Sequence, residues 1–524
     1  MKLPTAAIPI ILTFQNAASA FSLFHPHKAQ QPISATDPII PSIDYITHHL
    51  GQLSAYTDLA PSYFNVSHTG LPASCRISQV HLLQRHAERF PHPGDPQDGR
   101  NIEAFTEKVY DAVKEGEKFK GELGFLNEWR NMLGGEYLTG IGAMSEITTG
   151  LAYRGDEERK PLLRGTSQSR IHNSLMNWAV GFFGPSWRDD ARFEGNWTDA
   201  FRTVVIREGG AGRAWNNTLA AHHCCTNSER AGVGDIGDDH MWKYASQYLT
   251  QATEHLSKHM PKDFDLNIKD VYAMQLLCGY EMQYVGVSDF CSLFTRTEWQ
   301  GFEQSLDIRF FYNHAFGNPT ARAQGVGYVE ELLARLKGEY ITESDSSVNS
   351  SVTQDEENFP LGMKFYADFT HDKMVLGALT ALSLDFMREV PDLQTFPPEE
   401  GRLFKISKLV PFAARLVTEV IECGERNPEP VKHERIHRYI SAYRLEEKSD
   451  KHRFVRIRLN GAVVPLSSIR GGKCGGRMDE ICRLDRFFES QEQVKEQAKY
   501  QEACFGEYEG PKEGQDVDGT VPKI

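Results

Sequence analysis

Nowhere does this 524-residue chain hold an uninterrupted apolar run of bilayer-spanning length, which excludes a transmembrane helix of ordinary design. Positive charge is also in deficit. With 57 Lys and Arg against 71 Asp and Glu, the formal charge is −14 and the pI is near 5.8. Nucleic-acid or anionic-membrane partners would demand a basic face, so both are excluded. An acidic surface instead suits solubility in an acidic exterior, where some carboxylates take up protons. No internal repeat is present. The dense cluster His222-His223-Cys224-Cys225 does not make a zinc site either, because four side chains in a row cannot readily converge on one tetrahedral ion.

The N terminus reads as a cleaved secretory leader over residues 1–20. Lys2 precedes an apolar core from Ala6 to Phe14, which Pro4 and Pro9 keep from being a membrane span, and Ala18-Ser19-Ala20 supplies small residues for cleavage before Phe21. Four acceptor sequons, at Asn65, Asn196, Asn216 and Asn349, agree with a secreted, extracellular or wall-associated protein, whereas Asn318-Pro-Thr is excluded by its proline. Nine cysteines in an exported chain read as disulfide partners, with one left unpaired.

Length alone suggests about three or four domains, although large α/β enzymes merge that length into one body with an insertion. Ile77 to Gln84 is strand-like, and helical spacing runs from about Asn101 to Trp129, with Lys108, Lys114, Lys118 and Lys120 as its solvated face. Leu163 to Arg170 forms a polar turn entering a helix from Leu175 to Phe183. Asp270 to Leu293 and Val326 to Leu336 are helical, and the acidic, serine-rich stretch Thr342 to Asn358 reads as an exposed, mobile loop. Met363 to Phe369 alternates as a strand, with Thr370 as the cap of a helix beginning near Met374. Val455 to Leu459, Asn460-Gly461 and Ala462 to Val464 make a hairpin, and the polar residues 508–524 read as a flexible tail.

Arg85-His86-Ala87-Glu88-Arg89-Phe90-Pro91 directly follows the first of these strands. An imidazole nitrogen can attack phosphorus while two guanidinium forks hold the phosphoryl oxygens and neutralise their charge. His86 would then sit at a strand end, where open α/β sheets bind ligands. Arg170 enters a helix in the same manner, and His371-Asp372 again lies between a strand and a helix. A carboxylic acid at Asp372 is a sensible proton donor at low pH. Arg164, six residues before Arg170, reads as a surface or scaffold salt bridge.

These seven residues resemble the signature of the histidine acid phosphatases, Arg-His-Gly-x-Arg-x-Pro, with Ala87 standing in place of glycine. Tyr366 to Asp372 resembles the second motif of the same family, and the likeness is to its secreted fungal acid phosphatase and phytase branch over about residues 45 to 505. The resemblance implies that His86 attacks phosphorus, that Arg85, Arg89, Arg170 and His371 clamp its oxygens, and that Asp372 protonates the leaving alcohol, with no metal or cofactor. It implies disulfides Cys75 with Cys423, Cys278 with Cys291, Cys474 with Cys482, and Cys224 or Cys225 with Cys504. The implied fold is α/β, a helix-covered sheet of phosphoglycerate-mutase type with a mostly helical insertion: residues 45–100, 160–205 and 355–505 form the first part, 101–159 and 230–340 the second. The implied function is a secreted acid phosphatase acting on small phosphate esters, including inositol phosphates. A dedicated phytase or inositol polyphosphate phosphatase is the alternative, and an inactive phosphate-binding glycoprotein is the rival from another class, supported only by Ala87. Glu281, in a segment that resembles part of the fungal substrate pocket, is acidic and leans toward broad specificity.

Overall fold

The computed structural model describes residues 40–154, 161–184, 202–209, 215–433, 452–512 and 515–522. The expected leader and Asn196 lie outside them. Eight strands form one mixed sheet: β1 (Cys75–Arg85), β2 (Leu162–Thr166), β3 (Arg202–Ile206), β4 (Phe365–Thr370), β5 (Arg415–Cys423), β6 (His452–Leu459), β7 (Ala462–Val463) and β8 (Cys482–Arg483). Their order is β3-β2-β4-β1-β5-β6-β7, with β8 also on β6. The first four are parallel and β5 to β8 run antiparallel. The chain leaves β1, builds β2 and β3 beyond a gap, then returns to fill that gap with β4. The carboxyl ends of β1 and β4 therefore lie side by side, with Arg85 opposite Thr370.

Near-continuous burial from Gln79 to Arg85 and throughout β4 is what a sheet covered on both faces requires. The helices of ten or more residues among the described residues are, in chain order, α1 (Gly99–Lys114), α2 (Gly140–Ala152), α3 (Ser169–Phe183), α4 (Ile236–Tyr248), α5 (Ile268–Tyr284), α6 (Arg296–His314), α7 (Ala321–Lys337) and α8 (Asp372–Ala381). Ile171, Leu175 and Trp178 of α3 pack on Val80, Leu82 and Phe369 from one face. Val326 and Val329 of α7, with Val375 and Leu379 of α8, pack on Leu83, Tyr366 and Val420 from the other. Helices α7 and α8 cross closely because Gly325 has no side chain: a Cβ there would lie 1.9 Å from the carbonyl oxygen of Gly377. That crossing fixes α8, and with it Asp372 at its first position.

Helices α1, α4, α5 and α6 share a separate apolar core that includes Phe105, Tyr244, Tyr272 and Trp299. Reciprocal capping boxes, Asn267 with Asp270 and Thr295 with Glu298, start α5 and α6. The sheet and its helix cover, together with this helical cluster, match the expected α/β class. Four disulfides join Cys75 to Cys423, Cys225 to Cys504, Cys278 to Cys291 and Cys474 to Cys482, leaving Cys224 as the buried free thiol. Cys75 and Cys423 face each other in the β1–β5 register, which brings their Cα atoms to 4.1 Å.

Several local expectations are corrected. The helical stretch from Asn101 breaks after Lys114, and residues Gly121–Asn127 form a 3-10 segment instead. Residues 342–358 are exposed only in part: Ser346, Ser347, Val348 and Thr353 are buried, and Asn216 Nδ2 donates to the carbonyls of Ser346 and Val348. A glycan on Asn216 would use that same nitrogen. Thr370 does not cap α8; it ends β4 and donates its hydroxyl to the carbonyl of Leu219. The described part of the tail is docked, with Val517 and Val521 buried and Asp518 paired with Arg322, Arg388 and Arg470. The hairpin at Asn460-Gly461 forms as expected, both residues having positive φ.

Candidate active site

His86 is held by backbone bonds on both sides: its N–H donates to the carbonyl of Thr370 at 3.0 Å, and its own carbonyl accepts from Ala413 N–H at 3.1 Å. Its ring Nδ1 lies 2.9 Å from the carbonyl oxygen of Ala87. A carbonyl can only accept, so this contact selects the tautomer with hydrogen on Nδ1 and leaves a lone pair on Nε2. Burial, followed by the charges of Arg85, Arg170 and Arg89, holds the imidazole well below its ordinary pKa. The ring is therefore neutral in acid that would protonate an exposed histidine. Ala87 is buried and does not have a positive φ, so the methyl group there imposes none of the backbone strain that glycine would relieve.

The three expected arginines converge around this ring. Arg85, fully buried, donates Nη1 to the carbonyls of Gln52 and Val410 at 2.5 and 2.7 Å. Its Nη2 lies 2.8 Å from Asp372 Oδ2, outside hydrogen-bond alignment, and the guanidinium covers the Phe412 ring at 4.4 Å. Burial lowers its pKa to about 10 against the pull of Asp372. Arg89 is tied to the Phe90 carbonyl at 2.7 Å and, more loosely, to Asp98 and Tyr280 at 3.5 Å. Arg170, in the first turn of α3 rather than before the helix, has Nη1 3.3 Å from Glu136. Burial, then Arg89, lowers its pKa to about 10. Each of the three still has a buried Nε–H with no hydrogen-bond partner among the described residues. Unsatisfied buried cationic donors are costly unless an anion completes them.

His371 and Asp372 complete the cluster from the end of β4. The His86 and His371 rings are 5.9 Å apart. His371 Nε2 lies 3.0 Å from Glu208, whose other oxygen is 3.2 Å from His223 Nε2. Burial pulls the His371 pKa down to about 4 although Glu208 opposes it. Burial likewise works against the charge on Asp372, but Arg85 and Arg89 outweigh it and hold the carboxyl well below the usual range.

Three neighbours carry no sequence-level signal for this role. Glu208 follows β3, a short strand in a stretch with little resemblance to any pattern. Glu136 bridges Arg170 and His92 from a loop position with φ of 61°, and Asp98 reaches Arg89 from the N-cap of α1. Arg164 takes the scaffold role: it is fully buried and bonds Asp368 with Nε and Nη2, and Glu331 with Nη2. Glu281 accepts from Trp129 Nε1 and Ser288 Oγ, so its carboxylate braces α5 against neighbouring loops. In the His222 to Cys225 cluster, Cys225 is in a disulfide, Cys224 Sγ donates to the Ala221 carbonyl and His223 faces Glu208.

The chain resembles phytase A of Neurospora crassa, with 28% identity over 88% of this chain and 92% of that protein. It also resembles the thiamine-repressible acid phosphatase pho4 of Schizosaccharomyces pombe, with 25% identity over 86% of this chain and 88% of that protein. Among solved structures, the phytase from D. castellii shares the fold with a TM-score of 0.65 and 22% identity, covering 91% of this chain and 92% of that one. Residues 76–460, from the second residue of β1 to the hairpin after β6, match the profile of one family throughout, and the chain belongs to branch 2 of the histidine phosphatase superfamily.

Proposed function

We propose that this protein hydrolyses phosphomonoesters in two covalent steps at His86. In the first, the Nε2 lone pair attacks phosphorus, the N–P bond forms as the ester P–O bond breaks, and Asp372 gives its proton to the departing alkoxide. In the second, water attacks the phosphohistidine, Asp372 takes back a proton, and inorganic phosphate leaves with the ring neutral again. Arg85, Arg89 and Arg170 bind the three phosphoryl oxygens. His371, with Nε2–H directed at Glu208, adds a donor through Nδ1 once the arriving anion's negative charge raises its pKa and the ring takes up a proton from solvent.

The observation that carries this reading is the set of unpartnered guanidinium donors around a histidine whose tautomer leaves Nε2 free. Substrates are small phosphate esters, and the name of the Neurospora relative, phytase A, extends the class to phytate. A dedicated phytase is the second reading, favoured by the phytase A similarity. Four disulfides support an oxidising, extracellular location, and residues 1–20 are the proposed leader. The catalytic part is read as centred on the sheet-associated cores and the insertion on the helical core, although α7, expected in the insertion, packs against the sheet.

The test is a comparison of kcat/KM for an aryl phosphate and for phytate at acidic pH. Turnover of both with similar efficiency supports a broad phosphatase, and a strong phytate preference supports the dedicated enzyme. Turnover of neither favours the inactive phosphate-binding glycoprotein.

A further inference from the structure

We propose that Glu122, His255 and His259 form a site for a divalent transition metal of the zinc class, on the helical layer and apart from the catalytic cluster. One ligand atom from each lies within 4.8 Å of the other two. His255 Nε2 is 3.0 Å from Glu122 Oε2, and the His255 and His259 rings are 5.5 Å apart with their planes at 67°. His255 belongs to the helix Thr250–Ser257. Lys258 keeps helical angles, φ −67° and ψ −20°, so His259 follows one turn later on the same face.

The donor set and its setting both suit such an ion. Two imidazole nitrogens and one carboxylate oxygen form a three-ligand zinc set, with a fourth position open to water from the half-exposed side. Magnesium or calcium would call for oxygen ligands throughout. Zinc needs each ligand at about 2.0–2.1 Å, which small side-chain rotations in the exposed groups supply. The two backbones are already clamped: Lys120 N–H donates to the His259 carbonyl at 2.9 Å. Gly121 has a φ of +52°, and a Cβ there would lie 2.3 Å from His259 Nδ1, so glycine lets the turn bearing Glu122 lie against the ring. Leu123 and Leu126 on one side, with Ala252 and Leu256 on the other, share one apolar core. A bound metal would therefore staple two segments that packing already holds in place, and it takes no part in phosphoryl transfer.

The experiment is titration of the full chain with zinc chloride by calorimetry near neutral pH, because metal binding competes with protons for its ligands, repeated with cobalt(II) to read tetrahedral absorption bands. One equivalent bound, a rise in Tm with zinc, and loss of both in His259→Ala and Glu122→Gln are expected, with aryl phosphate turnover unchanged in the variants. Glu122 is half-exposed, so its substitution leaves folding intact even if His259→Ala does not. Absence of binding, or equal binding in wild type and Glu122→Gln, would overturn the proposal.

Discussion

Arg85 Nη2 stands 2.8 Å from Asp372 Oδ2, so the arginine proposed to bind phosphate also holds the proposed acid in its ionised form. A phosphate dianion that engages Arg85 screens this partner and brings negative charge beside the carboxyl, and both effects raise the Asp372 pKa in the complex. The carboxyl thus gains its proton when substrate arrives. Asp372→Asn should slow alkyl esters at least about a hundredfold and aryl esters with acidic leaving groups far less, because only poor leaving groups need protonation. Steady-state kcat for both ester types checks this; equal losses would leave Asp372 as a partner of Arg85 alone.

His371 gives a pH signature in stability. Its folded pKa of about 4 lies below the ordinary 6.5, so between those values the unfolded chain binds more protons than the folded one. The neutral ring's contribution is fully present above pH 6.5 and declines as pH falls toward about 4, by up to about 3 kcal/mol. Denaturant midpoints across this window should fall more steeply for wild type than for His371→Asn, and inorganic phosphate should reduce the difference by favouring the protonated ring. Parallel curves would show that His371 is not desolvated as described.

Beneath the site, Asp368 of β4 lies between two buried cations, Arg164 at 2.7 Å and Arg335 at 2.7 Å. Asp368→Asn removes the charge that both require, and loss of one partner from such a buried network costs about 3–5 kcal/mol. Chemical denaturation measures it. A loss below about 1 kcal/mol would mean that water reaches these guanidinium groups.

Cys224 is the remaining free thiol, buried and raised in pKa by that burial. Alkylation without reductant should be slow in the folded protein and, after denaturation, should label Cys224 alone in a peptide map. Label on Cys75 or Cys504 would contradict the pairing.

Both strands that present the motifs were legible because they are buried, apolar and followed immediately by charged residues, as in Leu82-Leu83-Gln84-Arg85-His86. Glu208 was not, because its contact with His371 spans 163 residues and follows a five-residue strand with no periodic run around it. Glu136 and Asp98 act through loop and cap geometry that local pattern does not encode. The tail misled for a related reason: its glycines and charges suggest a frayed end, yet Asp518 meets three arginines from distant parts of the chain. Thr370 looked like a cap from spacing alone, whereas the β1–β4 register makes it the last strand residue.

The central claim is that His86 Nε2 becomes phosphorylated. Rapid quenching of a turnover mixture into base preserves phosphohistidine, and mass spectrometry of the digest locates it. Phosphate on the peptide bearing His86, and none in an inactive His86→Ala variant, is the predicted result; phosphate on another residue, or near-normal turnover by His86→Ala, would contradict it.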